Sequence, residues 1–280
     1  MKIFKTIKSI QSSLSKINKT KTLGFVPTMG ALHEGHLSII KKAKKENDYV
    51  VVSIFVNPTQ FDKKEDLIKY PNTLENDLKL LENISCDFVF NPNVNEIYSS
   101  NIKSESFDFD GLDKVMEGAF RNGHFDGVGT IVKKLFEIIN PDKAYFGEKD
   151  YQQLQIIKKM VIINNLSVQI IPCSIFRETD GLAMSSRNTR LNKDQRNAAP
   201  FIYKTLLKSK ELFPEKDINF VKNFVKNEFK NNPFLILEYF EIADSELLNS
   251  STSKVKDKEY RAFIAAFAGA VRLIDNVALN

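Results

Sequence analysis

Short continuous apolar runs alternate with amphipathic stretches through the first two thirds of this chain. Residues 23–26 read as a strand and 34–45 as a helix. The run YVVVSIF at 49–55 is an unbroken β-branched segment, the kind buried on both faces in a parallel sheet. Helical spacing returns at 74–81, after Thr73 as a candidate N-cap, and a strand at 86–90 closes on Asn91-Pro92. Val128, Ile131, Val132, Leu135, Phe136 and Ile139 make one helical stripe. A short strand at 143–146, a helix at 150–163 and a strand at 168–171 follow. This βαβα rhythm predicts an α/β fold with a doubly wound parallel sheet, whose ligands bind beyond the carboxyl ends of the strands.

The rhythm changes near residue 175. A polar loop at 177–191 leads to charged helical patterns at 194–211 and 216–230, then strand-like runs at 235–242 and 260–267. The expectation is a catalytic domain over 1–175 and a smaller α+β domain over 176–280 with an antiparallel sheet.

Composition narrows the class. Hydrophobic residues at 42% and charged residues at 27% suit a soluble globular chain. A net charge of +5 suits anion handling, but the lysines are scattered along helix faces rather than gathered with aromatics, so nucleic acid is not an expected partner. The two cysteines, Cys86 and Cys173, lie in apolar runs and read as buried strand thiols of a reducing cytoplasm. Lysines interrupt the apolar positions of the N-terminus, so no signal peptide is expected. No run reaches the ~20 apolar residues of a membrane helix.

Two of the three histidines sit three residues apart in VPTMGALHEGH (26–36), where a strand ends in Pro and Gly and a helix opens. A helix start carries free N–H groups that attract phosphate. His33 and His36 share a helix face and can address one anion, with Gly35 leaving room for its approach. An isolated His-x-x-His is more often a surface or capping pair; the strand–loop–helix setting favours an anion site. Zinc is the weaker reading, because no third Cys or His ligand lies at suitable spacing. A second strand-to-helix junction, FGEKD (146–150), offers Gly147 for a tight turn and Lys149 as a point charge. A third loop, DGLAMSSRN (180–188), offers Ser185, Ser186 and Arg187 for charge-assisted bonds to phosphate. Asn57 and Gln60 follow the strongest strand, and Gln153 lies one turn beyond Lys149; such amides suit a substrate with hydroxyls and a carboxylate. His124, in the Gly-containing stretch 121–125, reads equally well as a turn residue or a site group.

Together these segments, with VVVSIFVNPTQF (50–61) and RLIDN (272–276), resemble the pantothenate synthetase family of the nucleotidylyltransferase superfamily with its HxGH loop. The resemblance runs over essentially the whole chain, less well in the second domain apart from its final strand. It implies a Rossmann-like, HUP-type catalytic domain and a C-terminal domain that closes over the active site. It further implies that pantoate and ATP form pantoyl adenylate and pyrophosphate, after which β-alanine displaces AMP to give pantothenate.

By the same resemblance, His33, His36 and Lys149 stabilise charge on the α-phosphate, His36 donating a proton. ATP is held by Met29, Gly30, Ala31, Leu32, His33, Glu34, Gly35 and His36, by Gly147, Glu148, Lys149 and Asp150, and by Phe176, Met184, Ser185, Ser186 and Arg187. Gln60 and Gln153 bind pantoate, Gln60 also lying near β-alanine, with Asn57, Tyr70 and Arg121 as further pocket residues. Mg²⁺ comes with the nucleotide, held mainly by its phosphates and not by a protein metal site, and the assembly is a homodimer. Two positions depart from the family pattern: Thr59 stands where Met is usual and Asn122 where Pro is common. Both flank pocket loops. The competing readings are a plain nucleotidylyltransferase, against which Gln60, Gln153 and the MSSRN loop argue, and a basic nucleic-acid-binding module.

Overall fold

A computed structural model describes residues 1–61, 64–68, 70–99 and 101–280. The chain divides into two compact units, 1–148 with 153–174, and 149–152 with 175–280.

In the first unit, β1 (Lys2–Phe4), α1 (Ile7–Leu14), β2 (Leu23–Thr28), α2 (Glu34–Glu46), β3 (Tyr49–Ile54), α3 (Lys64–Ile68), α4 (Leu74–Asn83) and β4 (Phe88–Phe90) come first. After them come α5 (Val94–Tyr98), α6 (Met116–Phe120), α7 (His124–Ile139), β5 (Lys143–Gly147), the last three turns of α8 (Tyr151–Ile163) and β6 (Gln169–Cys173). Six parallel strands lie in the order β1-β4-β3-β2-β5-β6. From β2 the chain steps outward through β3 to β4 on one side, then returns to build β5 and β6 on the other. The order therefore reverses between β2 and β5, where a doubly wound sheet opens a crevice for ligands.

Local sequence explains the layers. Val50, Val51 and Val52 of β3 are wholly buried, since a central strand is covered on both faces. Helix α2 turns Leu37, Ile40 and Ala43 inward against Val26, Val52 and Leu81, while Lys44 and Lys45 sit favourably at its negative C-terminal end. β1 escapes a reading by periodicity because it is only three residues long and is held by pairing with β4. His124, read as a loop residue, is the first residue of α7, after Gly123 as N-cap. Cys86 is buried but precedes β4 rather than belonging to it, and Cys173 ends β6.

The second unit carries α9 (Lys193–Ala198), α10 (Phe201–Leu212) and α11 (Ile218–Lys230), then the antiparallel meander β7 (Leu235–Asp244), β8 (Tyr260–Ala268) and β9 (Val271–Ala278). One helical pattern at 194–211 resolves into two helices because Pro200 interrupts the backbone ladder. Helix α11 packs on β7 and α10 on β8 and β9, enclosing Ile202, Leu206, Val221, Val225 and Ile264. Among the described residues, no helix is long and apolar enough to cross a membrane.

Candidate active site

The 29–36 loop leaves β2 at the point where strand order reverses. Gly30 adopts φ +82°, and a Cβ there would stand 3.0 Å from Asp77 Oδ2 and 3.2 Å from Ile54 Cγ2. Ala31 follows at φ +51°, a conformation that costs an L-residue about 1 kcal/mol and persists only where its surroundings enforce it. Asp77 of α4, itself buried, enforces it: Oδ2 accepts from Ala31 N at 3.0 Å and Oδ1 from Leu32 N at 2.8 Å. Thr73 is the N-cap residue of α4, as expected, but its hydroxyl makes no cap bond and donates to the Asp77 carboxylate at 3.2 Å. Gly30 N donates to Thr28 Oγ1 and His33 N to His36 Nδ1. The N–H groups of Gly30 to His33 thus already have partners within the protein, ahead of the helix start at Glu34 where free N–H groups are expected. The two imidazoles at this helix start are half-buried, with ring centroids 4.0 Å apart. Met29 and Gly35 are half-buried and Glu34 is exposed beside them.

A second cluster follows β3. Asn57 is buried; its Nδ2 donates to Gly127 O at 3.0 Å and to Gln60 Oε1 at 3.2 Å. Its Oδ1 accepts from the Tyr98 hydroxyl at 2.6 Å and from Thr59. Gln60 Nε2 then faces Met29 Sδ at 3.0 Å, which ties this cluster to the histidine loop. His124 Nδ1 lies 2.8 Å from Gln60 O, so the third histidine supports the turn carrying Gln60. Helix α7 approaches so closely that a Cβ on Gly127 would stand 2.4 Å from Thr59 O. Gly127→Ala is expected to displace the 58–60 turn, destabilising the chain by about 1–3 kcal/mol as overpacking does. A lowered melting temperature with a raised KM for the ligand of Gln60 is the expected result; wild-type values of both would contradict the contact.

In the second unit, Lys149, 16% exposed, lines a narrow recess with Leu182, Ser185, Arg187, Asn188 and Asp275. Its free space of about 10 Å³ is room for one water molecule. Asn276 Nδ2 donates to Lys149 O at 3.0 Å, and Arg261 Nη1 donates to Asn276 Oδ1 at 2.5 Å while its guanidinium lies over Tyr151. Arg177 grips Asp275 through two bonds of 2.6 and 3.0 Å, donates to Gly181 O and stacks on Tyr203 at 3.6 Å. Burial holds the Asp275 carboxyl above its usual range, against the pull of Arg177. Ser185 Oγ caps the short turn 186–190, and Met184 N donates to Phe176 O. Arg187 and Phe176 are exposed; Met184, Ser185 and Ser186 are half-buried. The 180–188 loop therefore belongs to the second unit, inside the stretch 176–280 where a second domain is expected.

The remaining expected residues fall in several places. Gly147 ends β5 without a left-handed φ, and a Cβ there would meet only Ile39 Cδ1, so no tight turn demands it. Glu148 follows it in the first unit, and Asp150 is exposed with its carboxylate 3.9 Å from Lys149 Nζ. Gln153 is half-buried on α8. Tyr70 packs its ring edge-on to Phe61, and Arg121 closes α6, both within the first unit. Asp77, Tyr98, Arg177 and Asn276 were given no role by sequence; only Asn276 lay in a noted motif, RLIDN.

Among the described residues, no group of three His, Cys, Asp or Glu could hold a metal ion.

A family model described as pantoate-beta-alanine ligase matches residues 2–278. A pantothenate synthetase of Christiangramia forsetii is 55% identical over 282 residues, covering all of both chains. One from Flavobacterium psychrophilum is 54% identical over 261 residues, 93% of each. Among solved structures, pantothenate synthetase from Thermus thermophilus superposes with a TM-score of 0.92 at 36% identity, over 100% of this chain and 99% of that one. Pantoate-beta-alanine ligase from Francisella tularensis, complexed with beta-gamma ATP and beta-alanine, gives 0.82 at 37% identity, over 100% and 98%.

Proposed function

Because the chain belongs to the pantoate–β-alanine ligase family, we propose how its two groups of residues divide the ATP-dependent condensation of pantoate with β-alanine. The observation that carries the reading is the imidazole pair at the start of α2, set where strand order reverses and linked through Met29 to the Gln60 amide. A carboxylate is a poor electrophile. Transfer of an adenylyl group onto pantoate gives its acyl carbon a good leaving group. Pantoate's carboxylate oxygen bonds to the α-phosphorus as pyrophosphate departs; the β-alanine amine then bonds to the acyl carbon as AMP departs.

Such a displacement needs positioning and charge neutralisation more than a protein nucleophile. His33, His36 and Lys149 supply positive or donor groups to the α-phosphate, His36 giving the proton. The residues 29–36, 147–150, Phe176 and 184–187 hold ATP. By the family resemblance, the domain over 176–280 closes on the catalytic domain over 1–175. Gln60 and Gln153 hold pantoate, flanked by Asn57, Tyr70 and Arg121. Mg²⁺, when bound, neutralises phosphate charge. Two free buried thiols support a reducing cytoplasm, and the family resemblance supports a homodimer.

Pyrophosphate release from ATP is expected to depend on pantoate, AMP turnover on β-alanine as well, and both to stop when a chelator removes Mg²⁺. Pyrophosphate release that ignores pantoate would overturn the reading.

A further inference from the structure

We propose that Tyr98, with Thr59, is a positioning residue for pantoate that acts through Asn57 on the Gln60 amide; this rests on the reading of Gln60 as a pantoate ligand. The carbonyl of Gly127 can only accept, so the Asn57 atom 3.0 Å from it must be the amide nitrogen. Oδ1 then points at the Tyr98 hydroxyl, 2.6 Å away, and at the Thr59 hydroxyl, 3.1 Å away. These hydroxyls also lie 3.1 Å from each other, so Thr59 can give its one hydrogen either to Asn57 or to the Tyr98 oxygen, while Tyr98 gives its own to Asn57. The second hydrogen of Nδ2 goes to Gln60, which must answer with Oε1. The sense of the Gln60 amide is thereby set: its NH₂ is the outward group.

That group meets only Met29 Sδ among the contacts described for it. A thioether is a weak acceptor. A carboxylate or hydroxyl oxygen of a substrate is a stronger one and replaces it readily. Tyr98 is suited to hold this arrangement. It is buried at the end of α5, its ring lies against Phe55, and burial keeps its hydroxyl protonated well above neutral pH. Loss of the hydroxyl leaves Asn57 Oδ1 short of its nearest donor and loosens the side chain whose Nδ2 holds Gln60 Oε1.

The test is steady-state kinetics of pantoate-dependent pyrophosphate release by the full chain. Tyr98→Phe is expected to raise the KM for pantoate about tenfold, the size expected when a buried acceptor loses its partner, with the KM for ATP within about twofold of wild type. Thr59→Val, nearly isosteric, should act in the same direction by about threefold and serves if Tyr98→Phe folds poorly. In a Gln60→Leu background, Tyr98→Phe should add nothing further, because its route to pantoate is gone. A full tenfold added on top of Gln60→Leu, or equal rises in the KM for ATP and pantoate, would overturn the proposal. A wild-type pantoate KM in Gln60→Leu would overturn the assignment of Gln60 itself, whereas a raised one beside an unchanged Tyr98→Phe overturns only the positioning role.

Discussion

His36→Asn is expected to slow pantoate-dependent pyrophosphate release by about 10²–10³-fold in kcat, the range found when one preorganised donor to a developing oxyanion is removed. The asparagine keeps a short acceptor near His33 N, which His36 Nδ1 serves at 3.3 Å, so the loop retains its cap while the far side of the ring is lost. The deficit should appear in kcat more than in the KM for pantoate, because the ring contributes as charge builds on the α-phosphate and not to the bound substrate. Rapid-quench measurement of the first turnover, at saturating ATP and pantoate, isolates adenylation from the later ligation. A near-wild-type rate there would remove His36 from the chemistry.

Arg177→Ala carries the largest expected effect on stability. Its loss strands the Asp275 carboxylate, whose side chain is 3% exposed, and removes the tie to Gly181 O and the stack on Tyr203. Breaking a buried pair on one side costs about 3–5 kcal/mol, or on the order of 10 °C in melting temperature for a chain of this size. The sign with pH follows from the direction of the Asp275 shift. Burial already favours the protonated carboxyl, and without Arg177 the folded variant binds that proton more tightly than the unfolded chain does. Stability of the variant relative to wild type should therefore recover as pH falls and worsen as it rises. Arg177→Met with Asp275→Leu should regain much of the loss, since an apolar pair of similar volume leaves no buried charge. Thermal melts across pH check both; a deficit independent of pH would mean that Asp275 is not the group left unpaired.

The legible parts of this molecule were those governed by local rules. A short unbroken β-branched run favours a covered strand, and YVVVSI became β3 within the sheet. The order of strands and helices gave the parallel sheet, and the HxGH loop stood out because a strand end and a helix start bracket it. What escaped were groups whose work is done across long sequence separations. Asp77 reads as one more polar position on a helix, yet it holds a loop 45 residues earlier. Tyr98 ends a five-residue helix too short to show a period, and its partner Asn57 lies 41 residues before it. Arg177 looks like a loop cation until β9 brings Asp275 to it from 98 residues away. The site's first layer was visible as residue types; the layer that fixes their orientation is visible only in three dimensions.

Asp77 also bears on the thermodynamics of nucleotide capture. A loop that must be ordered by its ligand gives up conformational entropy of about 1–2 kcal/mol for each residue it fixes. Here the backbone of Ala31 and Leu32 is already fastened by a carboxylate from another helix, before any phosphate arrives. That ordering belongs to folding rather than to binding, so the affinity for ATP is not reduced by it. The same carboxylate lies beside the loop proposed to hold ATP. If the loop holds ATP as proposed, it exchanges some electrostatic attraction for rigidity, and binding should carry a small entropic penalty for ordering and a strong dependence on the cations around it.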